Sequence, residues 1–259
     1  MQQRWPRRLW IVRHGESTGN VARQAAMDAG LSEINIDHRD IDVPLSALGE
    51  EQAIALGRWF ARNRDEGLPE VVLTSPYARA NRTAELICEH GGFADAEFIA
   101  DERLREKEFG ILDRLTTAGI QERFPDQARF RTLLGKFYHR PPAGESWCDV
   151  VLRLRSLMDT VGLHHGGQDV LIVSHQVVVL CLRYLLERLS EEAILAIIGR
   201  AMSPIARSPN MPLPKGHAAA ENSCCSAIIS LRPCRRMAPR SRPSRLWPVP
   251  RHERAFGHA

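Results

Sequence analysis

Two histidines stand at the exits of short apolar runs. Leu9-Trp10-Ile11-Val12 leads into Arg13-His14-Gly15-Glu16-Ser17, with Asn20 three residues further on, and Val170-Leu171-Ile172-Val173 leads into Ser174-His175. A third run, Val71-Val72-Leu73, leads into Thr74-Ser75-Pro76-Tyr77-Ala78-Arg79. Imidazoles beside guanidinium groups can do nucleophilic or acid–base work on an anion. One histidine after a strand reads more readily as a structural residue, but two at one sheet edge, joined by arginines, point to a site. Arg79 falls in the first turn of an expected helix, whose positive dipole end also favours an anion. For Arg82 a solvated helix face explains the residue at least as well as ligand binding does. Leu104-Arg105-Glu106-Lys107-Glu108-Phe109-Gly110 adds an acid-bearing loop.

The elements that must position these residues are legible from periodicity. Leu9–Val12, Val71–Leu73 and Asp169–Ser174 read as buried strands. Helices are expected over Ser46–Arg64, with apolar positions Leu48, Ala53, Leu56, Trp59 and Phe60, and over Ala78–Glu89, Ser146–Leu163 and Val177–Arg188. Between Asp101 and Gly144 the pattern is irregular, with short helices near Thr117–Arg123 and Asp126–Leu134. Ser146 with Asp149 reads as a cap on the helix that follows. Strands alternating with long helices imply an α/β fold, a three-layer sandwich whose mostly parallel central sheet is covered on both faces. Ligands then bind at the carboxyl ends of the strands, where both histidines lie.

Taken together, the pieces resemble the histidine phosphatase superfamily, the phosphoglycerate-mutase-like fold. They are Arg13 through Ser17, Ser75 through Ala84, Leu104-x-Glu106-x-x-Phe109-Gly110, Gly144-Glu145-Ser146 and Ser174-His175, in family order across residues 7–197. Gln176, where a glycine is frequent, departs from the pattern. The resemblance implies that His14 attacks phosphorus to form a phosphohistidine and that Arg13, Asn20, Arg79 and His175 hold the phosphate. It makes Glu106 the proton donor, which later activates water. His175 thus counts both as a catalytic and as a phosphate-binding residue. No cofactor or metal is called for, because the arginines and histidine supply positive charge. The partner implied is a small phosphorylated substrate.

Two other readings compete. Gly15-Glu16-Ser17-Thr18-Gly19 satisfies the G-x-S-x-G nucleophile elbow, which would make Ser17 an esterase nucleophile. That elbow should follow the segment that builds an oxyanion hole, whereas Ser17 follows the first strand, and the reading leaves Arg13, Arg79 and Glu106 unused. The second is an inactive binding module with the same fold. Within the family, the 37 residues between Glu106 and Gly144 look more like the phosphatase branch than the mutase, which must rebind a bisphosphate. Arg129, Arg131 and Arg140 in that stretch read as solvated surface, and the leaving group stays open.

Composition excludes other classes. Of 259 residues 44% are hydrophobic and 25% charged, enough for a sizeable core. No apolar run approaches the roughly 20 residues of a spanning helix, and the start lacks a secretory apolar stretch. Six cysteines without a C-x-x-C pair argue against a disulfide framework or thiolate zinc site, so a reducing, cytoplasmic setting is expected. The net charge of +4 is deceptive, because residues 232–259 carry eight arginines and one acid, leaving the rest net acidic. A nucleic-acid-binding body is therefore not expected, nor a membrane partner.

Domain organisation follows: residues 1–198 form the histidine phosphatase domain, and 199–259 an irregular Arg/Pro-rich tail. The tail is read as a frameshifted C-terminus. Read from the third base of each codon, Ala201 through Met211 can encode a closing strand of Asn-Cys-Ser-Val-Thr type, and 32 arginines against 3 lysines suit GC-rich DNA. The alternative is a genuine basic extension that binds an acidic partner.

Overall fold

The computed structural model describes residues 5–201 and 229–231, with side chains described through residue 197. Strands β1 (Arg8–Arg13), β2 (Val71–Thr74), β3 (Glu97–Ala100), β4 (Asp169–Ser174) and β5 (Ile229–Leu231) form one sheet in the order β3-β2-β4-β1-β5. The first four are parallel, and β5 runs antiparallel to β1. The central strands are apolar at every inner position because both faces of the sheet are covered. Leu9, Ile11, Val71, Leu73, Val170 and Ile172 face one layer, while Trp10, Val12, Val72, Leu171 and Val173 face the other.

Helices α2 (Ala47–Arg62) and α3 (Ala78–Gly91) cover the second face with Leu56, Phe60, Ala84 and Ile87. On the first face lie α6 (Trp147–His164) and α7 (Gln176–Leu186), whose Trp147, Leu154, Leu157 and Val178 are buried. The expected α/β three-layer architecture is what forms. Ser46 caps α2 by accepting the Gly49 N–H at 3.1 Å. Ser146 and Asp149 close a full capping box on α6. Leu48, expected on the inner face of α2, is exposed instead, because the buried stripe runs through Gly49, Ala53, Leu56, Gly57 and Phe60 and leaves Leu48 off that face.

Four elements carry no clear pattern in the sequence: α1 (Thr18–Asp28), β3, helix α8 (Glu191–Ala201) and β5. The connection from β3 to α6 holds α4 (Thr117–Arg123) and α5 (Pro125–Tyr138), close to the expected short helices. Within the stretch expected to be irregular, Ile229–Leu231 pairs with Leu9–Ile11. Its alternating apolar residues and the free backbone edge of β1 account for the pairing. Of the stretch argued to be frameshifted, from about residue 199 onward, the described residues are 199–201, which end α8 instead of being irregular, and 229–231; the rest, 202–228 and 232–259, lies outside the described residues.

Candidate active site

The register of the sheet sets the site. Arg13 lies opposite Ser174 and Thr74 opposite Val173, so the residues that follow emerge side by side at the carboxyl edge. His14 N–H donates to Ser174 O at 2.8 Å and Ser75 N–H to Val173 O at 3.1 Å, carrying the ladder one residue past each strand. His14 and His175 therefore meet edge-to-face with ring centroids 5.1 Å apart. Both are buried. The loop after His14 sits hard against the start of α2: a Cβ at Gly15 would fall 2.4 Å from the Gly49 carbonyl oxygen.

The hydrogen bonds define what each ring nitrogen can do. His14 Nδ1–H donates to the Gly15 carbonyl at 2.6 Å; a carbonyl only accepts, so the proton sits on Nδ1 and Nε2 keeps its lone pair. Burial, then the charges of Arg79 and Arg13, push the His14 pKa down to about 3, so the ring is neutral at ordinary pH. His175 Nε2 lies 2.8 Å from Ser75 Oγ, which also accepts the Tyr77 N–H. With that hydroxyl donating to Nε2, the His175 proton sits on Nδ1, a buried atom that has no partner among the described residues. Arg13 Nε is likewise buried without one. Burial, together with the neighbouring cationic groups, holds His175 well below the usual imidazole range.

Arg79 enters from the first turn of α3 and is buried, stacked over the Tyr77 ring at 5.0 Å. Its charge acts on His14, His175 and Glu106 alike. Glu106 lies on the loop after a 3-10 turn, Glu102–Leu104, and its Oε1 accepts the Lys107 N–H at 2.8 Å. Burial raises its pKa, against the opposing pull of that N–H and of Arg79 and Arg13. The loop is strapped down at several points. Ser174 Oγ donates to Leu104 O at 2.6 Å, Arg153 Nη2 to Glu106 O at 3.3 Å, and Glu108 N–H to Glu145 Oε2 at 3.0 Å.

His14, His175, Arg13, Arg79 and Glu106 are thus brought to one pocket. Asn20 stands in the first turn of α1, where its Oδ1 accepts the Ser17 N–H at 3.1 Å as part of a capping box; its amide NH2 is the group left for a ligand. Ser17 Oγ is engaged with Asn20 in that same cap and meets no histidine, which removes the geometric basis of a nucleophile elbow. Arg82 bridges Glu85 and Glu50 on the surface, in line with a solvated face. Glu108 is exposed and accepts a bond from the Tyr77 hydroxyl at 3.3 Å. Asp40 beside Arg79 was not legible as a pocket residue, since no spacing rule brings the segment before α2 over the start of α3.

Comparison with known proteins gives the family. The model of the histidine phosphatase superfamily, branch 1, matches residues 9–203. A probable phosphoglycerate mutase of Yersinia enterocolitica is 30% identical over 67% of this chain and 72% of its own length. A chicken 6-phosphofructo-2-kinase/fructose-2,6-bisphosphatase is 32% identical over 72% of this chain, which spans only 34% of that protein. Among solved structures, a mycobacterial glucosyl-3-phosphoglycerate phosphatase complexed with VO3 is 28% identical, with a TM-score of 0.56 over 73% of this chain and 85% of that one. No described helix is long and apolar enough to cross a membrane. With its two strand-exit histidines, its paired arginines and its acid loop all in family order, the chain belongs to the histidine phosphatase superfamily, branch 1.

Proposed function

We propose that this protein hydrolyses small phosphomonoesters through a phosphohistidine formed on His14. One observation carries the reading: a neutral His14 with its Nε2 lone pair free stands beside two buried, unpartnered nitrogens, Arg13 Nε and His175 Nδ1. Unpartnered buried polar groups are costly, and an anion between them and His14 would satisfy both. Phosphoryl transfer asks for little besides such positioning and charge stabilisation.

In this mechanism His14 Nε2 attacks phosphorus while the Arg13 and Arg79 guanidinium groups and His175 Nδ1–H stabilise the equatorial oxygens. The Asn20 amide adds a donor. The charge is supplied by the chain itself, with no metal or cofactor assigned a step. Glu106, whose pKa is raised by burial, gives its proton to the leaving oxygen. As a carboxylate it then takes a proton from the water that attacks the phosphohistidine, releasing phosphate and restoring both residues. Hydrolysis is preferred to mutase-type transfer because Arg129 and Arg131 are exposed and Arg140 reaches toward Gly144 and Asp149 rather than presenting a second phosphate site.

The test is rapid quenching during turnover of a generic phosphomonoester, followed by mapping of bound phosphate. Acid-labile, base-stable phosphate should map to His14, and His14→Ala should lose both label and turnover. Stable phosphate on Ser17, or turnover unaffected in His14→Ala, would overturn the mechanism. The screen should cover sugar phosphates, nucleotides and phosphoglycerates. A cytoplasmic setting is proposed with it, on the strength of cysteine usage alone.

A further inference from the structure

Asp40 faces the pocket although the phosphoryl chemistry makes no use of it. It opens a 3-10 turn, Asp40–Asp42, in the connection between α1 and α2. Arg79 Nη1 donates to the Asp40 carbonyl oxygen and lies 3.1 Å from Oδ1, while Nη2 donates to Oδ2 at 3.3 Å. The Arg79 side chain is 7% exposed and that of Asp40 48%, so the carboxylate forms the solvent side of the pair. The neighbouring Asp42 differs: it pairs with exposed Arg39 at 2.7 Å. The charge of Asp40 also reaches inward, adding to the groups that raise Glu106 and Tyr77.

For phosphate alone this acid is a handicap, since it draws on the guanidinium that should hold the anion. Its use lies in what it does to the rest of the substrate. His14 and His175 are buried, so an ester bound to them must extend its chain toward solvent, past Arg79 and its outer partner. On the solvent side of Arg79 that chain passes the Asp40 carboxylate. A second anionic group there would face a like charge at short range in a partly desolvated place, whereas a hydroxyl or amine would find an acceptor.

Resting on the phosphomonoesterase reading, we propose that Asp40 is a specificity-determining residue. It disfavours esters whose chain carries a second phosphate or carboxylate close to the reacting phosphate, and favours neutral polyol or amine-bearing chains. Asp40 thus sets the class of leaving group, and phosphoglycerates and bisphosphates are disfavoured.

The experiment uses two non-hydrolysable ligands of equal length, 3-hydroxypropylphosphonate and 2-carboxyethylphosphonate, with inorganic phosphate as the chainless reference. Calorimetry on the full chain should give roughly tenfold or greater preference for the hydroxyl ligand, narrowing to about threefold or less in Asp40→Asn, the size expected for one like-charge contact. Asp40→Ser provides a second variant, and retained phosphate binding reports that each variant keeps its pocket. Asp40 could instead act only by competing for Arg79. Its removal would then tighten all three ligands by one factor and leave the ratio unchanged, and that result overturns the proposal. Equal affinities in the unaltered chain would do so too. Failure of the unaltered chain to bind inorganic phosphate would overturn the pocket assignment itself, and with it both readings.

Discussion

Gly49 lies so close to Glu16 that a Cβ on it would fall 1.9 Å from the Glu16 carbonyl oxygen. The loop that follows His14 therefore rests on the first turn of α2 backbone to backbone, and no side chain fits between them. Gly49→Ala should force the loop outward, destabilising the fold by about 1–3 kcal/mol, the usual range for overpacking. Turnover should fall in the fraction that remains folded. Urea unfolding combined with active-site titration separates the two effects; a variant as stable and as active as the parent would contradict the contact.

Glu106→Gln keeps the shape of the side chain and removes the transferable proton. Turnover of alkyl phosphates should drop by about 10²–10⁴-fold, as for other general acids. Nitrophenyl phosphate, whose leaving group departs without a proton, should lose less. If both substrate types lose equally, the proton comes from elsewhere, and Glu108→Gln is the next variant to assay.

The buried histidines make stability depend on pH. The folded-state pKa of His14 is pushed down to about 3, below the value of about 6.5 for a free imidazole. The unfolded chain thus binds the additional proton between these values, so stability is complete above about pH 6.5 and declines as pH falls toward 3. One such histidine contributes a slope of about 1.4 kcal/mol per pH unit within that window. In denaturant titrations between pH 4 and 6, His14→Gln should flatten the dependence by about that slope. A parallel pair of curves would show that the His14 ring is already protonated in the folded state.

Ser146 tests a structural assignment close to the site. Its Oγ accepts the Asp149 N–H at 3.2 Å, while Asp149 Oδ2 accepts the Ser146 N–H at 2.8 Å. Ser146→Ala should cost about 0.5–2 kcal/mol through the lost cap. The ratio of activities between substrates should not move. A change in substrate preference would give the residue a direct part in binding.

How far the sequence discloses this arrangement depends on what each element buries. β1 and β4 are legible because every residue between their ends is apolar and each delivers a histidine at its exit. β3 is not, since it lies at the edge of the sheet with Glu97, Phe98 and Ala100 exposed and offers no apolar run. α1 is hidden for a similar reason: only Ala26 is buried along it, so it carries no stripe. The residues gathered around His14 follow from family order in the sequence, and the register of β1 with β4 gives that order its physical basis. Asp40 could not be read in advance, because its contact with Arg79 depends on how a 3-10 turn folds over a helix remote in sequence.

Arg153 shows how a loop without regular structure can share the rigidity of a helix. From α6 it donates to both carboxylate oxygens of Glu145, at 2.9 and 3.1 Å, and to the backbone carbonyls of Arg103 and Glu106. Glu145 in turn holds the Glu108 N–H. Local opening of the acid loop thus requires breaking bonds anchored in the buried helix, and the two should behave as one cooperative unit. In hydrogen–deuterium exchange, the amide of Glu108 should then be protected on the timescale of the α6 amides rather than that of a surface loop. The acid proposed as proton donor thus sits on a coil that should unfold only together with the scaffold behind it.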